Sequence, residues 1–403
     1  MPLRTDRQLV SIHEARRILQ DAAAPITRTE TVPLAALGGR VLAEAIVATA
    51  DVPPFARSAM DGYAVVAADV AGASFGTPVA LRVVESVFTG RVPTRAVKNG
   101  TCSAIATGAP IPAGADAVVI VERTAREGDA VRVMEAVGAG ANINPQGTDL
   151  RAGHTVVDEG AWLTPSRIAA IAAAGHERAV VFARPRVAVL VTGDEVVTPG
   201  QPLGPGQIHD VNTAALAATV LEHGGVPITG SIVEDDPAAI REAFATALDA
   251  DLVLVSGGSS VGERDYILDV LAESGDVRFA GIAVKPGKPT VFAIVQGRPV
   301  FGMPGNPSSC LSNAYLLVAP MLRRIARLPP ATPRTVRARL ASRVTSPRGR
   351  HQFYTVRVDK GIAQPAFKGS GDITSIANAD GYFEIEEATE SVEAGTTVDV
   401  TLF

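Results

Sequence analysis

The sequence predicts a multidomain α/β plus β protein. It is read as a central α/β domain with a mostly parallel sheet, an inserted all-β module, a discontinuous mainly helical domain and a small C-terminal barrel-like β domain. Three observations carry this. The chain has 403 residues, and at roughly 150 residues per domain that suggests two to four domains. Residues 182–327 alternate between apolar strand-like runs and helical stretches, the pattern of a parallel sheet covered by helices. Residues 55–140 and those beyond Pro333 instead carry short alternating runs separated by Gly, Pro, Asn and Asp, the texture of antiparallel β structure.

The elements follow in chain order. Residues 7–21 read as an amphipathic helix, with Val10, Ala15, Ile18 and Leu19 on one face and Ser11 as N-cap. A second helical stretch is expected after Pro33, carrying Leu34, Leu37, Val41, Leu42 and Ile46. Pro53-Pro54 ends that pattern, because two prolines cannot continue a helix. Strands are expected at 79–87, 101–107, 117–122 and 130–137. Helix returns at 164–175, with Pro165 in the favoured first turn after Thr164. Segments 1–50 and 141–181 are therefore read as one discontinuous domain around a β module at 51–140. In the α/β domain, 182–328, strands are expected at 186–192, 231–234, 251–256, 290–295 and 299–302. Its helices are expected at 211–223, 237–248, 263–273 and 308–326. Pro329, Pro330 and Pro333 stiffen a linker into the β domain at 329–403.

Composition excludes several function classes. The net charge is −5 and aromatics make up only 4%. Nucleic-acid binders are usually basic, and single-strand platforms need aromatic rings. No apolar run approaches the ~20 residues of a membrane span, and the N-terminus lacks a signal-peptide core. Cys102 and Cys310 are far apart and no HxxxH pair occurs, which disfavours a disulfide framework or structural zinc. A cytoplasmic protein is expected.

Ligands of open α/β sheets bind at the carboxyl ends of the strands. Thr192-Gly-Asp194-Glu195 puts a hydroxyl and two carboxylates there. Gly257, Gly258 and Ser259 open a small-residue loop that lets backbone N–H groups approach an anion, with Asp265 further on. Lys285 and Lys288 stand on a Pro-stiffened turn, and Pro304-Gly-Asn306-Pro307-Ser308 opens another helix. Phosphate beside so many carboxylates implies a mediating divalent cation, which takes carboxylate and phosphate oxygens together and polarises a phosphoryl group. Each loop alone has a plainer explanation: helix caps for Asp194, Glu195 and Asp265, a solvated turn for the lysines, rigid turns for the prolines. Cys310 reads as a buried small hydrophobe, and His209 and His351 as surface or hydrogen-bonding residues. Four complementary loops at successive strand ends favour a metal-assisted reaction at a phosphate or phosphoanhydride.

Ser58-Ala-Met-Asp-Gly-Tyr-Ala64, Thr107-Gly-Ala-Pro110, Thr192-Gly-Asp-Glu195, Ser256-Gly-Gly-x-Ser-Val-Gly-x-x-Asp265, Lys285-Pro-Gly-Lys-Pro289, Pro304-Gly-Asn-Pro-Ser308 and Thr374-Ser-Ile-Ala-Asn-Ala-Asp-Gly381 occur here in that order. With them the whole chain resembles the MoeA family of molybdopterin molybdenumtransferases, related to the E domain of gephyrin. The resemblance implies a molybdopterin-binding-like α/β domain. It implies insertion of molybdenum from molybdate into adenylylated molybdopterin, with hydrolysis of the phosphoanhydride, release of AMP and help from Mg²⁺ or Zn²⁺. It implies homodimers, with a molybdopterin adenylyltransferase and molybdoenzyme acceptors as partners. Carried over by motif, the acidic residues are Asp61, Asp149, Glu195, Asp235 and Asp265, with Glu195 and Asp235 holding the metal or orienting molybdate. Ser259, Lys285, Lys288, Asn306 and Ser308 would hold phosphate and pterin, and Thr107 would contact substrate.

Three departures stand out. The family's Phe-Asp-x-Ser is Phe55-Ala-Arg-Ser58, the basic loop before Asp149 is Asn144-Pro-Gln146, and a Gly-Gly-Val is Gly257-Gly-Ser259. They keep open an alternative: a non-catalytic or specialised paralogue that binds molybdopterin or its adenylate as a dimeric carrier or scaffold. The adenylylation step itself is a third reading.

Overall fold

The computed structural model describes residues 9–257 and 266–403. The chain folds into two compact units. Residues 9–30, 39–41, 181–257 and 266–403 form the first; 31–38 and 42–180 form the second.

The first unit begins with helix α1 (Ile12–Ala22), where the Ser11 hydroxyl caps the Glu14 N–H at 3.1 Å. Its Ile12, Ala15 and Leu19 are buried in the α/β core, one helical stripe against one sheet face. The core sheet contains β1 (Arg186–Val191), β2 (Val226–Thr229), β3 (Leu252–Ser256), β4 (Asp276–Ala280), β5 (Val291–Val295) and β6 (Arg298–Met303), in the order β2-β1-β3-β6-β5-β4. The first four in that order are parallel, whereas β5 pairs antiparallel with both β6 and β4. Val187 and Val189 of β1 and Leu252 and Leu254 of β3 pack into one core; Ala188, Val253 and Val255 pack into the other. Burial on both faces explains why these strands read as unbroken apolar runs. Helices α2 (Asn212–Glu222), α3 (Pro237–Ala247) and α4 (Tyr266–Ser274) cover the sheet. Helix α5 (Pro307–Asn313) continues through a wide π turn into the helix Ala319–Ile325.

The strand expected at 231–234 is instead β2 at Val226–Thr229, and Val233 makes only a single bridge to Thr192. Pro227 argues against a strand in sequence, but β2 is an edge strand, where a missing N–H is tolerated. Strand β4 has no counterpart in the sequence reading, because its Asp276 and Arg278 are exposed at the opposite edge.

Beyond residue 334, strands Thr335–Leu340, His351–Asp359, Ile362–Pro365, Gly381–Ile385 and Thr397–Leu402 close a five-stranded barrel. Tyr354, Val356, Phe383 and Val400 are among its core residues. A sixth strand, Val284–Lys285, adds to it in parallel, pairing Val284 with His351 and Lys285 with Gln352. The segment carrying the two predicted lysines thus belongs to both the α/β domain and the barrel.

In the second unit, Val79–Val87, Thr101–Ile105, Ala117–Ile120 and Ala130–Val133 are strands of one sheet with Gly62–Val65 and Thr124–Glu127. The helix Pro165–Ala173 starts at the Thr164 cap. The helix expected after Pro33 is only a turn at Leu34–Ala36, followed by a short strand Ile46–Val47 paired with Thr155–Val157. Gly38 and Gly39, the latter at φ +71°, explain the break; a mid-helix glycine costs ~1 kcal/mol relative to alanine. No helix among the described residues is long and apolar enough to cross a membrane.

Candidate functional site

The parallel strand ends build the site. The chain leaves β1 into Thr192-Gly-Asp-Glu195, held by Thr192 N–H donating to Ser256 O (2.8 Å) and Ile208 N–H donating to Glu195 O (2.8 Å). Gly257 follows β3 with φ +150°; a Cβ there would lie 2.2 Å from Thr192 Oγ1. That contact requires glycine. The Thr192 hydroxyl is buried and has no hydrogen-bond partner among the described residues. After β6, the Pro304-Gly305 carbonyls are tied to neighbouring elements. Asn212 Nδ2 donates to Gly305 O and to Ser256 Oγ, both at 2.8 Å, and Ser256 Oγ donates to Pro304 O at 3.2 Å.

The lysine turn is pinned from below. Gly287 has φ +107°, and its carbonyl accepts from Asn313 Nδ2 at 2.8 Å and Thr290 Oγ1 at 3.0 Å. Lys285 Nζ lies 5.9 Å from the centre of the Phe367 ring, a cation–π distance.

These loops surround a cavity of about 1250 Å³ within the first unit. Glu195, Asp235, Gly257, Lys285, Lys288 and Asn306 line it, as do Pro304 and Pro307. Asp194 and Ser308 do not line it and act as supports. Asp194 Oδ1 accepts the Asp235 N–H at 3.1 Å. Ser308 Oγ is within hydrogen-bond distance of the Gly369 and Ser370 carbonyls, at 2.9 and 2.6 Å. Gly258, Ser259 and Asp265 lie outside the described residues.

Arg348, Arg350 and Lys368 complete the lining, together with Asp210 and Asn212. Sequence reasoning missed them, although Arg348-Gly-Arg350 is a visible basic pair. Among the described lining residues, Lys285, Lys288, Arg348, Arg350 and Lys368 stand against Glu195, Asp210 and Asp235. This mildly acidic chain therefore presents a locally cationic cavity with carboxylates at the strand ends. No group of three or more His, Cys, Asp or Glu side chains with metal-binding spacing occurs among the described residues. Cys310 is buried, which pushes its thiol up to about 12 and leaves it no thiolate for chemistry.

The second unit brings Asp61 and Thr107 together. Asp61 Oδ1 accepts the Thr107 N–H at 2.7 Å and the Thr107 hydroxyl at 2.9 Å. These two bonds, the N–H first, hold the Asp61 carboxyl below its ordinary value despite slight desolvation. Asp149 is exposed, and its backbone N–H donates to Val52 O at 3.0 Å.

An open α/β sheet with a cationic, carboxylate-edged cavity at its strand ends, shared with a small barrel, defines a protein that handles a polyanionic ligand. Family models match nearly the whole length: the MoeA N-terminal region (domains I and II) at 10–175, a probable molybdopterin binding domain at 188–324, and the MoeA C-terminal region (domain IV) at 337–403. The chain is 36% identical to molybdopterin molybdenumtransferase 2 of Mycobacterium tuberculosis, over 97% of this chain and 98% of that protein. It is 32% identical to the molybdopterin molybdenumtransferase of Haemophilus influenzae, over 98% and 99%. A crystal structure of a molybdopterin biosynthesis MoeA protein from Pyrococcus horikoshii superposes with TM-score 0.82 at 33% identity, covering 98% of this chain and 100% of that one. The chain belongs to the MoeA family of molybdopterin molybdenumtransferases.

Proposed function

We propose that this chain inserts molybdenum from molybdate into adenylylated molybdopterin, hydrolysing the phosphoanhydride and releasing AMP, in molybdenum cofactor biosynthesis. The observation that carries this reading is the cationic cavity with carboxylates at the strand ends, in a chain matched by the family over nearly its whole length. Lys285, Lys288 and Arg350 hold the anionic oxygens of substrate, and Asn306 supplies an amide at the same wall. Fixed cations facing developing negative charge stabilise the transition state without reorganising. Asp61, Thr107, Asp149 and Asp265 are assigned to the same chemistry through the family motifs.

Glu195 and Asp235 suit a divalent ion. Both line the cavity, and two carboxylates plus substrate oxygens are a usual set for Mg²⁺, whereas Zn²⁺ favours nitrogen and sulfur ligands. Bound there, the ion would polarise a phosphoryl oxygen. Asp194 holds the Asp235 backbone and so fixes one of the two carboxylates. A homodimer in the cytoplasm, substrate from a molybdopterin adenylyltransferase and delivery to molybdoenzymes belong to the same reading.

The test is AMP release from adenylylated molybdopterin with Mg²⁺, with and without molybdate. Molybdate-dependent release is expected, reduced about a hundredfold or more in Glu195→Ala and Asp235→Ala. Normal turnover in both variants would sink the site assignment. One observation favours the carrier alternative: two of the three motif departures fall on one ribbon, where Asn144 pairs with Arg57, next to Ala56. Tight binding of the adenylate with no AMP release on adding molybdate would establish it.

A further inference from the structure

We infer that the His351–Glu384 pair, braced by Arg16, is a positioning device for the cationic wall of the cavity, setting Lys285 and Arg350 against a substrate oxyanion. The inference rests on the functional reading above and extends it to residues that do not touch substrate.

His351 is 1% exposed, and both ring nitrogens face carboxylates: Nε2 is 2.5 Å from Glu384 Oε2, and Nδ1 is 3.6 Å from Glu386 Oε2. From α1, Arg16 Nη2 reaches the same Glu384 oxygen at 3.3 Å, and His13 Nε2 lies 3.6 Å from Glu386 Oε2. The His13 and His351 rings meet edge to face at 6.2 Å. Burial pushes the Glu384 carboxyl up, but the hydrogen bond from His351 and the charge of Arg16 outweigh it, and the carboxyl titrates below its usual range. The arrangement is that of a charged, partly buried cluster. Well-packed apolar residues often serve stability as well as a buried ion pair does, so stability alone does not account for it.

The cluster's backbone leads straight to the cavity. His351 N–H donates to Ala283 O at 2.7 Å, and the parallel ladder sets Val284 beside His351 and Lys285 beside Gln352. On the other side, Ala283 N–H donates to Val10 O at 2.8 Å, just before α1. His351, the first residue of its strand, turns toward α1, while Arg350, immediately before it in the chain, lines the cavity. Displacing His351 therefore moves Arg350 along the chain and Lys285 across the ladder.

The experiment uses the full chain with molybdate as the probe. Molybdate binding is measured by calorimetry, and KM for molybdate is taken from AMP release. His351→Gln should raise Kd and KM about tenfold, the scale of a misplaced binding group, out of proportion to any fall in kcat. Glu384→Gln, which keeps size and polarity, should do the same and carries the test should His351→Gln melt prematurely. A folded variant with the parent's Kd and KM overturns the inference, as does a loss confined to kcat. A parent that releases no AMP, yet binds molybdate with a Kd that rises in His351→Gln, overturns the proposed reaction and leaves the positioning device standing.

Discussion

Asn313 offers a test of how the lysine turn is held. Its side chain is fully buried, and Nδ2 donates to Gly287 O at 2.8 Å and to Thr290 Oγ1 at 2.5 Å. The amide cannot be reversed, because a carbonyl only accepts. Asn313→Ala removes two hydrogen bonds worth about 1 kcal/mol each. Two features soften the loss: Asn313 Oδ1 has no hydrogen-bond partner among the described residues, and Gly287 O keeps its bond from Thr290. The net cost should be about 1–2 kcal/mol. Asn313→Asp preserves shape but turns a carboxylate oxygen toward the Gly287 carbonyl, and should cost about 3 kcal/mol or more, as a buried charge without a partner does. Denaturant melts of parent and variants give the order, and KM for substrate should rise with each as Lys285 and Lys288 lose their footing. An Asp variant as stable as the parent, or an Ala variant with unchanged melt and KM, would refute the reasoning. The pair should also couple. A Cβ on Gly287 would lie 2.3 Å from Asn313 Nδ2, so Gly287→Ala should cost less when Asn313 is already alanine.

Three further outcomes are expected. Gly257→Ala would put a Cβ 2.2 Å from Thr192 Oγ1 and 2.5 Å from Thr192 O at φ +150°; strain and overpacking together should cost about 2–5 kcal/mol, and a neutral melt would contradict this. Because the folded Asp61 carboxyl is depressed by Thr107, its bonds contribute stability above the unfolded carboxylate pKa, and that contribution is lost as pH falls through the folded value. NMR titration of Thr107→Val should show the Asp61 value rising without reaching an ordinary one, since the larger N–H contribution remains. Cys102 and Cys310, both buried and pushed up to about 12, should react with thiol reagents at pH 8 only after denaturation.

Much of the fold is legible because burial leaves a pattern. Strand β3 reads as continuous apolar sequence since both its faces are covered, and Val79–Val87 is bounded by turn residues that mark its ends. Edge strands are where reading failed. Strand β2 contains Pro227 and exposes Val226 and Ile228, so neither an alternating nor a continuous pattern survives. The site divides the same way. Glu195, Lys288 and Asn306 stand in loops that follow or precede visible strands. Arg348, Arg350 and Lys368 come from a barrel tied to the lysine segment by a two-residue ladder, and a long-range pairing of that size has no local signature. Ser308 shares a motif with Asn306, and its hydroxyl donates to the Gly369 and Ser370 carbonyls.

The division of the first unit between the two ends of the chain bears on how the protein is made. Helix α1 leaves the ribosome well before its sheet partners, which begin at Val187, 165 positions after Ala22. At ~5–20 residues per second, that is a wait of roughly ten to thirty seconds. The last buried residue of that core, Phe353, comes later still. Meanwhile residues Thr31–Gly38 and Leu42–Val180 have all emerged, and the second unit can close while the amphipathic stripe of α1 is still bare. Nascent-chain folding should therefore be discontinuous, with the middle of the polypeptide maturing first and the strand that carries Lys285 docking only after the barrel residues appear.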